Sequence, residues 1–227
     1  MSLKILAIDT SEDACSAALL VDDGVTERFE VAPRRHSELI LPMMDGLLGE
    51  GGLTLAGLDA LAFARGPGAF TGVRIAASVI QGVAFGADLP VVPVSTLRAL
   101  AQGAQRELAA VRVLSALDAR MGEVYWGGFE ADAAGIMRPV AQETVCTPGS
   151  VPVPPGDGWR GFGSGWASYR TALAERCGAS VPCVGEAMVH ARDVATLAAA
   201  LFHDGAAVAA EQALPVYLRD QVAWAAS

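Results

Sequence analysis

The segment ARGPGAFTGVRIAAS, residues 64–78, contains three closely spaced glycines and runs directly into an apolar stretch. Glycine lets backbone N–H groups approach a phosphate, and the N-terminus of a following helix adds a favourable dipole. Gly66, Gly68 and Gly72 are therefore candidate phosphate-binding residues. However, no lysine follows the loop, and Gly72 falls one position late for the GxGxxG pattern. The spacing also fits a tight strand-to-helix turn in which glycine takes a positive φ.

A second candidate phosphate site follows the segment KILAI, where Asp9, Thr10 and Ser11 come in succession. A carboxylate and two hydroxyls at the end of a strand can lie beside phosphate oxygens and a metal ion. The surrounding stretch DTSEDA contains no glycine, which a phosphate loop normally uses for close approach. The alternative is that Asp9 caps a turn at the end of a sheet.

The histidines do not form a metal-binding pattern. His36 opens the segment HSELILP, but a metal pair on a helix needs a second histidine four residues later, where the chain has Ile40. His190 and His203 have no potential ligand at a useful spacing. We therefore predict no metal site, no cofactor and no catalytic residue.

The first half of the chain predicts a regular succession of strands and helices. Apolar runs bounded by turn residues indicate strands, and longer apolar or amphipathic runs indicate helices. Ser95 is the expected N-cap of the last helix. The predicted strands are 4–10, 14–21, 25–31, 58–65 and 90–94, and the predicted helices are 37–49, 70–87 and 95–108.

The same order begins again near residue 110. VRVLSALDARMGEVYWGGFEADAAG echoes LKILAIDTSEDACSAALLVDDG, so Asp118 corresponds to Asp9. Further predictions are a third strand at 141–147, a strand and turn at 159–165, and helices at 167–177 and 193–203. Two β-β-β-α-β-α lobes, 1–109 and a truncated 110–227, predict an α/β protein of the actin-like ATPase type, the duplicated ribonuclease H-like fold. In that fold a nucleotide lies in the cleft between the lobes.

The charge balance argues against a protein that binds nucleic acid by itself. The chain has 16 Lys and Arg against 25 Asp and Glu, a net charge of -9, and the basic residues are scattered. Because proteins that bind RNA alone usually present a basic face, we expect contact with RNA only through a partner.

The composition also predicts a cytoplasmic protein without membrane contact. No apolar run reaches the roughly 18 residues of a membrane span. The start MSLKILAIDT lacks the basic and apolar regions of a signal peptide. The four cysteines include no CxxC pair, which favours reduced thiols.

Two predicted helices are more apolar than packing on one sheet requires. Apolar residues span about 200° of the helix at 37–49, and residues 75–87 carry no charge. Such helices lie either inside a large core or at a surface that binds another protein. We favour the second and predict partner contacts at His36, Leu39, Ile40, Met43, Met44, Leu47, Arg74, Val79 and Val83.

Several of these stretches together strongly resemble the bacterial TsaB family, formerly called YeaZ. The resemblance runs in order from about residue 4 to residue 220 and rests on ILAIDTS, RRHSELILP, FARGPGAFTGVRIAAS, LDARMGEVYW and PVYLRD. GPGAFTGVRIA and HSELILP in the same order are highly specific together.

The resemblance implies a non-catalytic scaffold subunit. Its partner TsaD transfers a threonylcarbamoyl group to the adenosine beside the anticodon of tRNAs that read ANN codons, and the ATPase TsaE completes the complex. A member of this family tends, when alone, to form a homodimer through the surface that binds TsaD. The resemblance also implies two metal-binding histidines in TsaD where this chain has His36 and Ile40, and a glycine loop that is the relic of a phosphate-binding turn.

Two other functions stay open on the residues alone. A small ATP-dependent phosphotransferase of the actin-like fold could use Asp9 and Asp118 as metal-binding carboxylates across the cleft. A peptidase would need a metal pair or a nucleophile constellation, and the sequence offers neither.

Overall fold

The first half of the chain forms a five-stranded mixed sheet with helices on both faces. The computed structural model describes residues 3–179 and 181–219. Asp220 of the PVYLRD motif, the start of the predicted lobe 1–109 and the end of the predicted lobe 110–227 lie outside the described residues. The elements are β1 (Lys4–Asp9), β2 (Ala14–Val21), β3 (Gly24–Val31), α1 (His36–Glu50), β4 (Ala60–Ala64), α2 (Phe70–Ala87), β5 (Val91–Val94) and α3 (Thr96–Leu108). The sheet order is β3-β2-β1-β4-β5, with an antiparallel meander and two parallel additions.

These bounds lie within two residues of the sequence-based ones, and α2 coincides with the predicted 70–87. Ser95 caps α3 as expected, because its hydroxyl oxygen accepts the backbone N–H of Arg98 at 3.2 Å. Apolar periodicity and turn residues were therefore sufficient to locate the elements of this lobe.

The second half repeats the strand order in a shorter form. Its elements are β6 (Arg112–Asp118), β7 (Val124–Ala131), β8 (Met137–Pro139), β9 (Thr144–Cys146), β10 (Trp159–Phe162), α4 (Ser164–Ser168), α5 (Arg170–Cys177), β11 (Cys183–Val184) and α6 (Ala191–His203). The order β8-β7-β6-β10-β11 matches that of the first sheet strand for strand. The predicted duplicated α/β fold is thereby confirmed.

The truncation consists of a missing helix between the third and fourth strands. Where the first lobe has α1, residues 147–158 form a loop with one 3-10 turn at Pro148–Ser150. The single strand predicted at 141–147 is wrong in detail, because β7 pairs with both β8 and β9 and the chain bends between them. The helix predicted at 167–177 is interrupted at Tyr169, whose φ of -130° is not helical.

The two lobes exchange helices across a shared core. The helix α6, from the second half, packs on all five strands of the first sheet, whereas α3, from the first half, packs on β6, β7, β8 and β10. The two helices also pack on each other, so the layers run first sheet, α6, α3, second sheet. Leu97, Leu100, Val194 and Leu197 lie fully buried in this core. The first sheet ends at Val94 and the second begins at Arg112, but the core is continuous between them.

Candidate partner-binding surface

The glycine loop lies against the first hairpin. The backbone N–H of Ala69 donates to the oxygen of Ser11 at 2.7 Å, and the Thr10 hydroxyl donates to the oxygen of Gly72 at 2.7 Å. A Cβ on Gly72 would lie 1.9 Å from the Thr10 oxygen, and one on Gly68 would lie 2.6 Å from the Ser11 oxygen. These two glycines therefore let the glycine loop approach the backbone of the first hairpin closely.

Gly66 has a φ of +104°, the positive value that a tight strand-to-helix turn requires. Its N–H donates to the Thr96 hydroxyl at 3.1 Å, and a Cβ at this position would lie 2.6 Å from the oxygen of Val216. Val216 itself donates its N–H to the oxygen of Arg65 at 2.7 Å. The segment 214–219 thus covers the glycine loop, an arrangement that no local sequence pattern reveals.

Asp9 caps a turn, as the alternative prediction has it. Its Oδ1 accepts the N–H of Ser11 at 3.2 Å and the Ser11 hydroxyl at 2.6 Å. The carboxyl is fully buried, and its Oδ2 has no hydrogen-bond partner within residues 3–179 and 181–219. Burial raises the pKa of Asp9 to about 7, opposed by the hydrogen bonds from Ser11 and helped by the nearby charge of Glu12.

Glu12 crosses the cleft between the lobes. Its carboxylate accepts the Ser164 hydroxyl at 3.0 Å and the backbone N–H of Val189 at 3.3 Å, both from the second lobe. Burial raises the pKa of this carboxyl to about 7 although both bonds lower it. Sequence reasoning missed Glu12, since nothing in DTSEDA distinguishes it from its exposed neighbour Asp13.

Asp118 is held by its own hairpin and by the α4–α5 segment. Its Oδ1 accepts the N–H of Arg120 at 2.8 Å and the Tyr169 hydroxyl at 3.2 Å. Its backbone N–H donates to Ser164 Oγ at 3.3 Å, the hydroxyl that also reaches Glu12. Ser164 thus joins the strand-end Asp118 to Glu12, which lies three residues beyond Asp9 in the chain.

His36 is a buried residue that bonds to the backbone of the first hairpin. It is 7% exposed, and its Nε2 donates to the backbone oxygen of Glu12 at 2.9 Å. Ile40, one turn later, is fully buried. In the part of the chain that the structure describes, no three His, Cys, Asp or Glu side chains cluster as a metal site would need.

Three of the predicted partner contacts, Ile40, Met44 and Leu47, lie in the core of the chain and not on its surface. They are 0%, 3% and 1% exposed. The reason is that α1 packs on β2 and β3 and also against α2, so its wide apolar stripe serves two neighbours. Met43 and His36 are buried as well, Leu39 is half-buried, and Leu41 on the outer side is exposed.

The helix α2 has a buried face and an open face. Val73, Ala76, Ala77, Ile80 and Ala84 lie in the core beneath it, and Val79 and Val83 are half-buried at its border. The open face carries Arg74, Ser78, Gly82, Phe85 and Gly86. Phe85 is 82% exposed, the highest value among the exposed large apolar side chains. Periodicity alone did not identify it, because the whole segment 75–87 is free of charge.

Among the described residues, no close contact and no positive φ requires a glycine at position 82 or 86. A Cβ on either glycine would meet nothing within 4 Å, and both have helical φ values. A glycine inside an exposed helix costs about 0.5–1 kcal/mol relative to alanine. The smooth surface that they create lets another chain approach the α2 backbone closely.

By length and composition α2 could also cross a membrane, with 18 residues of mean hydropathy 1.3. Its periodic burial instead fits an amphipathic helix that packs one face on a sheet.

An aromatic and cationic cluster lies at the N-terminal end of α2. The Arg74 guanidinium stacks 3.5 Å above the Phe70 ring and donates to the Tyr217 hydroxyl at 2.8 Å. Two residues further on, Arg219 donates to the oxygen of Ala119 at 3.1 Å. The segment 214–219 therefore connects the open end of α2 with the second lobe.

Comparison with known proteins assigns the chain to a family. A family model described as TsaD, tRNA N6-adenosine threonylcarbamoyltransferase, matches residues 28–227. The chain is also 44% identical over 226 residues to the tRNA threonylcarbamoyladenosine biosynthesis protein TsaB of Escherichia coli (strain K12), covering 98% of this chain and 97% of that relative. The chain belongs to the TsaB family.

Other relatives agree with this assignment to the TsaB family. The TsaB protein of Haemophilus influenzae is 39% identical over 231 residues, covering 98% of this chain and 96% of the relative. The solved structure of YeaZ from Pseudomonas aeruginosa is 47% identical and superposes with a TM-score of 0.90, covering 95% of this chain and all of the other. The fold described above is therefore the TsaB fold over almost its full length.

Proposed function

We propose that this chain is a non-catalytic subunit of the complex that places a threonylcarbamoyl group on the adenosine beside the anticodon of tRNAs reading ANN codons. Membership of the TsaB family supports the pathway, since the curated relatives are named for threonylcarbamoyladenosine biosynthesis. The observation that carries the subunit role is the open face of α2, on which Phe85 is 82% exposed between two glycines that no contact among the described residues requires.

Three arrangements support a non-catalytic role. The glycine loop packs on the Asp9–Ser11 hairpin through the contact of Gly72 with Thr10. The cleft between the lobes is crossed by Glu12. His36 uses its Nε2 to bind a backbone oxygen. Each of these groups is engaged within the chain itself.

The open face of α2 is proposed as the surface that binds TsaD. Its apolar character favours a protein partner over a charged ligand, and burying one phenylalanine side chain there contributes about 2 kcal/mol. The half-buried Val79 and Val83 extend the face toward α1, where Leu41 is exposed. In the absence of TsaD, a second copy of the chain uses the same face to form a homodimer, and TsaE joins the heterodimer.

The decisive experiment compares two substitutions of an exposed apolar residue by a charge. Phe85→Glu places the charge on α2, and Val111→Glu, at a side chain 59% exposed beyond α3, is the matched control. We expect both variants to fold, as judged by thermal unfolding. Phe85→Glu should lose the homodimer in sedimentation and TsaD in pull-down, and Val111→Glu should keep both. A folded Phe85→Glu protein that still binds TsaD and itself would remove α2 from the interface.

The proposed complex, rather than this subunit, contacts tRNA. The net charge of -9 and the scattered arginines support this division. Isolated protein should bind tRNA weakly, and tight binding with a steep dependence on salt would contradict the proposal. We also propose a cytoplasmic location, where tRNA is modified.

The competing function is an ATP-dependent phosphotransferase using Asp9 and Asp118. We expect no ATP hydrolysis by the isolated protein. Metal-dependent turnover that disappears in Asp9→Asn would favour the phosphotransferase and overturn the non-catalytic role.

A further inference from the structure

Arg74 is an exposed arginine near the start of α2 whose guanidinium contacts two aromatic rings. Its central carbon lies 3.5 Å from the centre of the Phe70 ring and 5.5 Å from the centre of the Tyr217 ring. The two rings are 5.9 Å apart and inclined at 38°. The Nε of Arg74 donates to the Tyr217 hydroxyl at 2.8 Å, and this bond fixes the orientation of the guanidinium.

The outer end of this guanidinium is available to a ligand. Among the described residues, Arg74 bonds to a protein acceptor through Nε and forms no ion pair. No acidic residue lies in the first turn of α2. The two terminal nitrogens of an arginine form a fork that matches two oxygens of a phosphate. Because the rings and the hydroxyl already hold the side chain, little conformational entropy is lost when the fork binds.

Both rings keep exposed surface beside the guanidinium. Phe70 is 57% exposed and Tyr217 is 42% exposed. Exposed aromatic rings next to an arginine are the combination with which proteins bind unpaired nucleotides, since a base stacks on a ring while the guanidinium binds a phosphate. A simple anion would have no use for the rings, and an apolar ligand would have no use for the fork.

The cluster continues across the lobe junction. Arg219, two residues after Tyr217, donates to the backbone oxygen of Ala119 at 3.1 Å. Its Nη1 lies 3.8 Å from the sulfur of Met121, an exposed residue in the turn between β6 and β7. The exposed surface beyond Tyr217 is therefore long enough for more than one nucleotide.

The cluster lies at the opposite end of α2 from the proposed TsaD contact at Phe85. Both Arg74 and Phe85 are on the open face, and they are separated by about three turns, or about 16 Å along the axis. A partner that covers Phe85 would therefore leave Arg74 at the rim of the interface, where a substrate of the complex has access to it.

We propose that Phe70, Arg74 and Tyr217 bind an unpaired nucleotide of the RNA that the complex modifies, with a phosphate on the Arg74 fork and a base on the exposed ring surface. This inference rests on the proposed function, because the complex brings the RNA to this chain. The net charge of -9 keeps the contact weak in the isolated chain, so it adds to the contacts that the partners make.

RNA binding by the assembled complex tests the cluster. A fluorescent anticodon stem-loop of a tRNA that reads ANN codons is titrated into the complex of this chain with TsaD and TsaE, at several salt concentrations. Arg74→Ala should weaken binding about tenfold and reduce the slope of log K against log salt by about 1. Arg74→Lys should keep the slope but not the affinity, since it keeps the charge and loses the fork. Tyr217→Ala should also weaken binding about tenfold.

Arg160→Ala is the matched control. Arg160 is exposed on β10, in the second lobe, and forms no ion pair with the described residues. This variant should bind the stem-loop like the wild type. Thermal unfolding of each variant and pull-down with TsaD show whether the chain folds and assembles. A second measurement needs no substitution: light-induced cross-linking of a stem-loop with 4-thiouridine in its loop should attach the RNA to Phe70 or Tyr217 of the wild type.

Several results would overturn the inference. Equal weakening by Arg74→Ala and Arg160→Ala would reduce the contact to general charge attraction. Unchanged RNA binding by an Arg74→Ala complex that still contains TsaD would refute the RNA contact and leave the proposed function standing. Loss of TsaD from a folded Arg74→Ala chain would make Arg74 part of the protein interface instead.

Two further outcomes separate the alternatives. If the wild type binds AMP, Arg74→Ala abolishes that binding and the stem-loop still binds, the cluster takes a free nucleotide and not RNA. A wild-type chain that does not assemble with TsaD at all would refute the proposed function itself.

Discussion

Gly72 lies directly against the backbone of Thr10, so that a Cβ on residue 72 would stand 1.9 Å from the Thr10 oxygen. The Thr10 hydroxyl closes the same contact by donating to the oxygen of Gly72. A glycine that allows approach to a phosphate and a glycine that allows approach to a neighbouring strand end look identical in sequence. Their neighbours in space distinguish them.

Gly72→Ala should therefore destabilise the fold strongly. The added methyl group meets backbone that cannot rotate away, so we expect a loss of about 3 kcal/mol or more in the free energy of unfolding. Urea unfolding measures this loss. A variant as stable as the wild type would show that the hairpin shifts easily and that the close approach is not required.

Gly82→Ala, on the same helix, should have the opposite effect on stability. Its new Cβ meets nothing within 4 Å, so the helix gains up to about 1 kcal/mol. The same methyl group should weaken homodimer formation and TsaD binding, as measured by sedimentation and titration. Unchanged association would mean that no partner approaches the α2 backbone at this point.

Met44→Glu should unfold the chain or reduce its stability by several kcal/mol, because Met44 is 3% exposed in the first lobe's outer core. The measurement is the thermal unfolding temperature of each variant. Met44→Glu, in the core, should unfold at a lower temperature than Phe85→Glu, on the surface. Native stability of Met44→Glu would instead place Met44 at a flexible surface.

Asp193→Asn should weaken the contact between the exchanged helices. Asp193 on α6 receives two bonds of 2.9 Å from the guanidinium of Arg106 on α3. Burial raises the pKa of Asp193, and Arg106 opposes that rise. Removing the charge leaves the half-buried guanidinium with only the neighbouring Glu107 as an ionic partner, and should cost about 2 kcal/mol.

An exposed ion pair on the surface provides the control for the stability effect of Asp193→Asn. Glu38→Gln breaks the exposed pair with Arg35 and should change the free energy of unfolding by less than about 0.5 kcal/mol. Equal effects of the two substitutions would show that the Arg106–Asp193 pair contributes no more than an exposed one.

Thermal stability of the wild type should fall as the pH rises from about 5 to about 7, because the folded chain binds more protons than the unfolded chain in this range. Asp9→Asn should flatten this dependence, since it removes a carboxyl with a pKa of about 7. Differential scanning calorimetry across the range is the measurement. A wild type that becomes more stable toward pH 7 would contradict these pKa shifts.

Sequence reasoning succeeded where the pattern is local. The helix at 70–87, the cap at Ser95 and the repetition of strands around Asp9 and Asp118 follow from periodicity, turn residues and internal similarity. It failed where the answer depends on what lies on the far side of an element. The stripe containing Ile40 and Met44 is wide because α2 lies beside α1, and no pattern within residues 36–50 carries that fact.

The same limit applies to the site. Phe85 and Ala84 are neighbours in an uncharged segment, yet one is 82% exposed and the other 1%. Glu12 and Asp13 are both acidic residues of one hairpin, and among the described residues only Glu12 bonds to the second lobe. Both distinctions require the orientation of the whole element against its neighbours.

The exchange of α3 and α6 has a consequence for synthesis of the chain on the ribosome. The first sheet is complete once residue 94 has emerged, but the helix that covers its inner face ends at residue 203. At about 10 residues per second, the nascent sheet waits about 10 seconds with Ala7, Ala18 and Ala62 uncovered. The small alanine side chains on that face keep the exposed apolar area low during the wait. The N-terminal half is thus translated first but completed last, by the final α-helix that the structure describes.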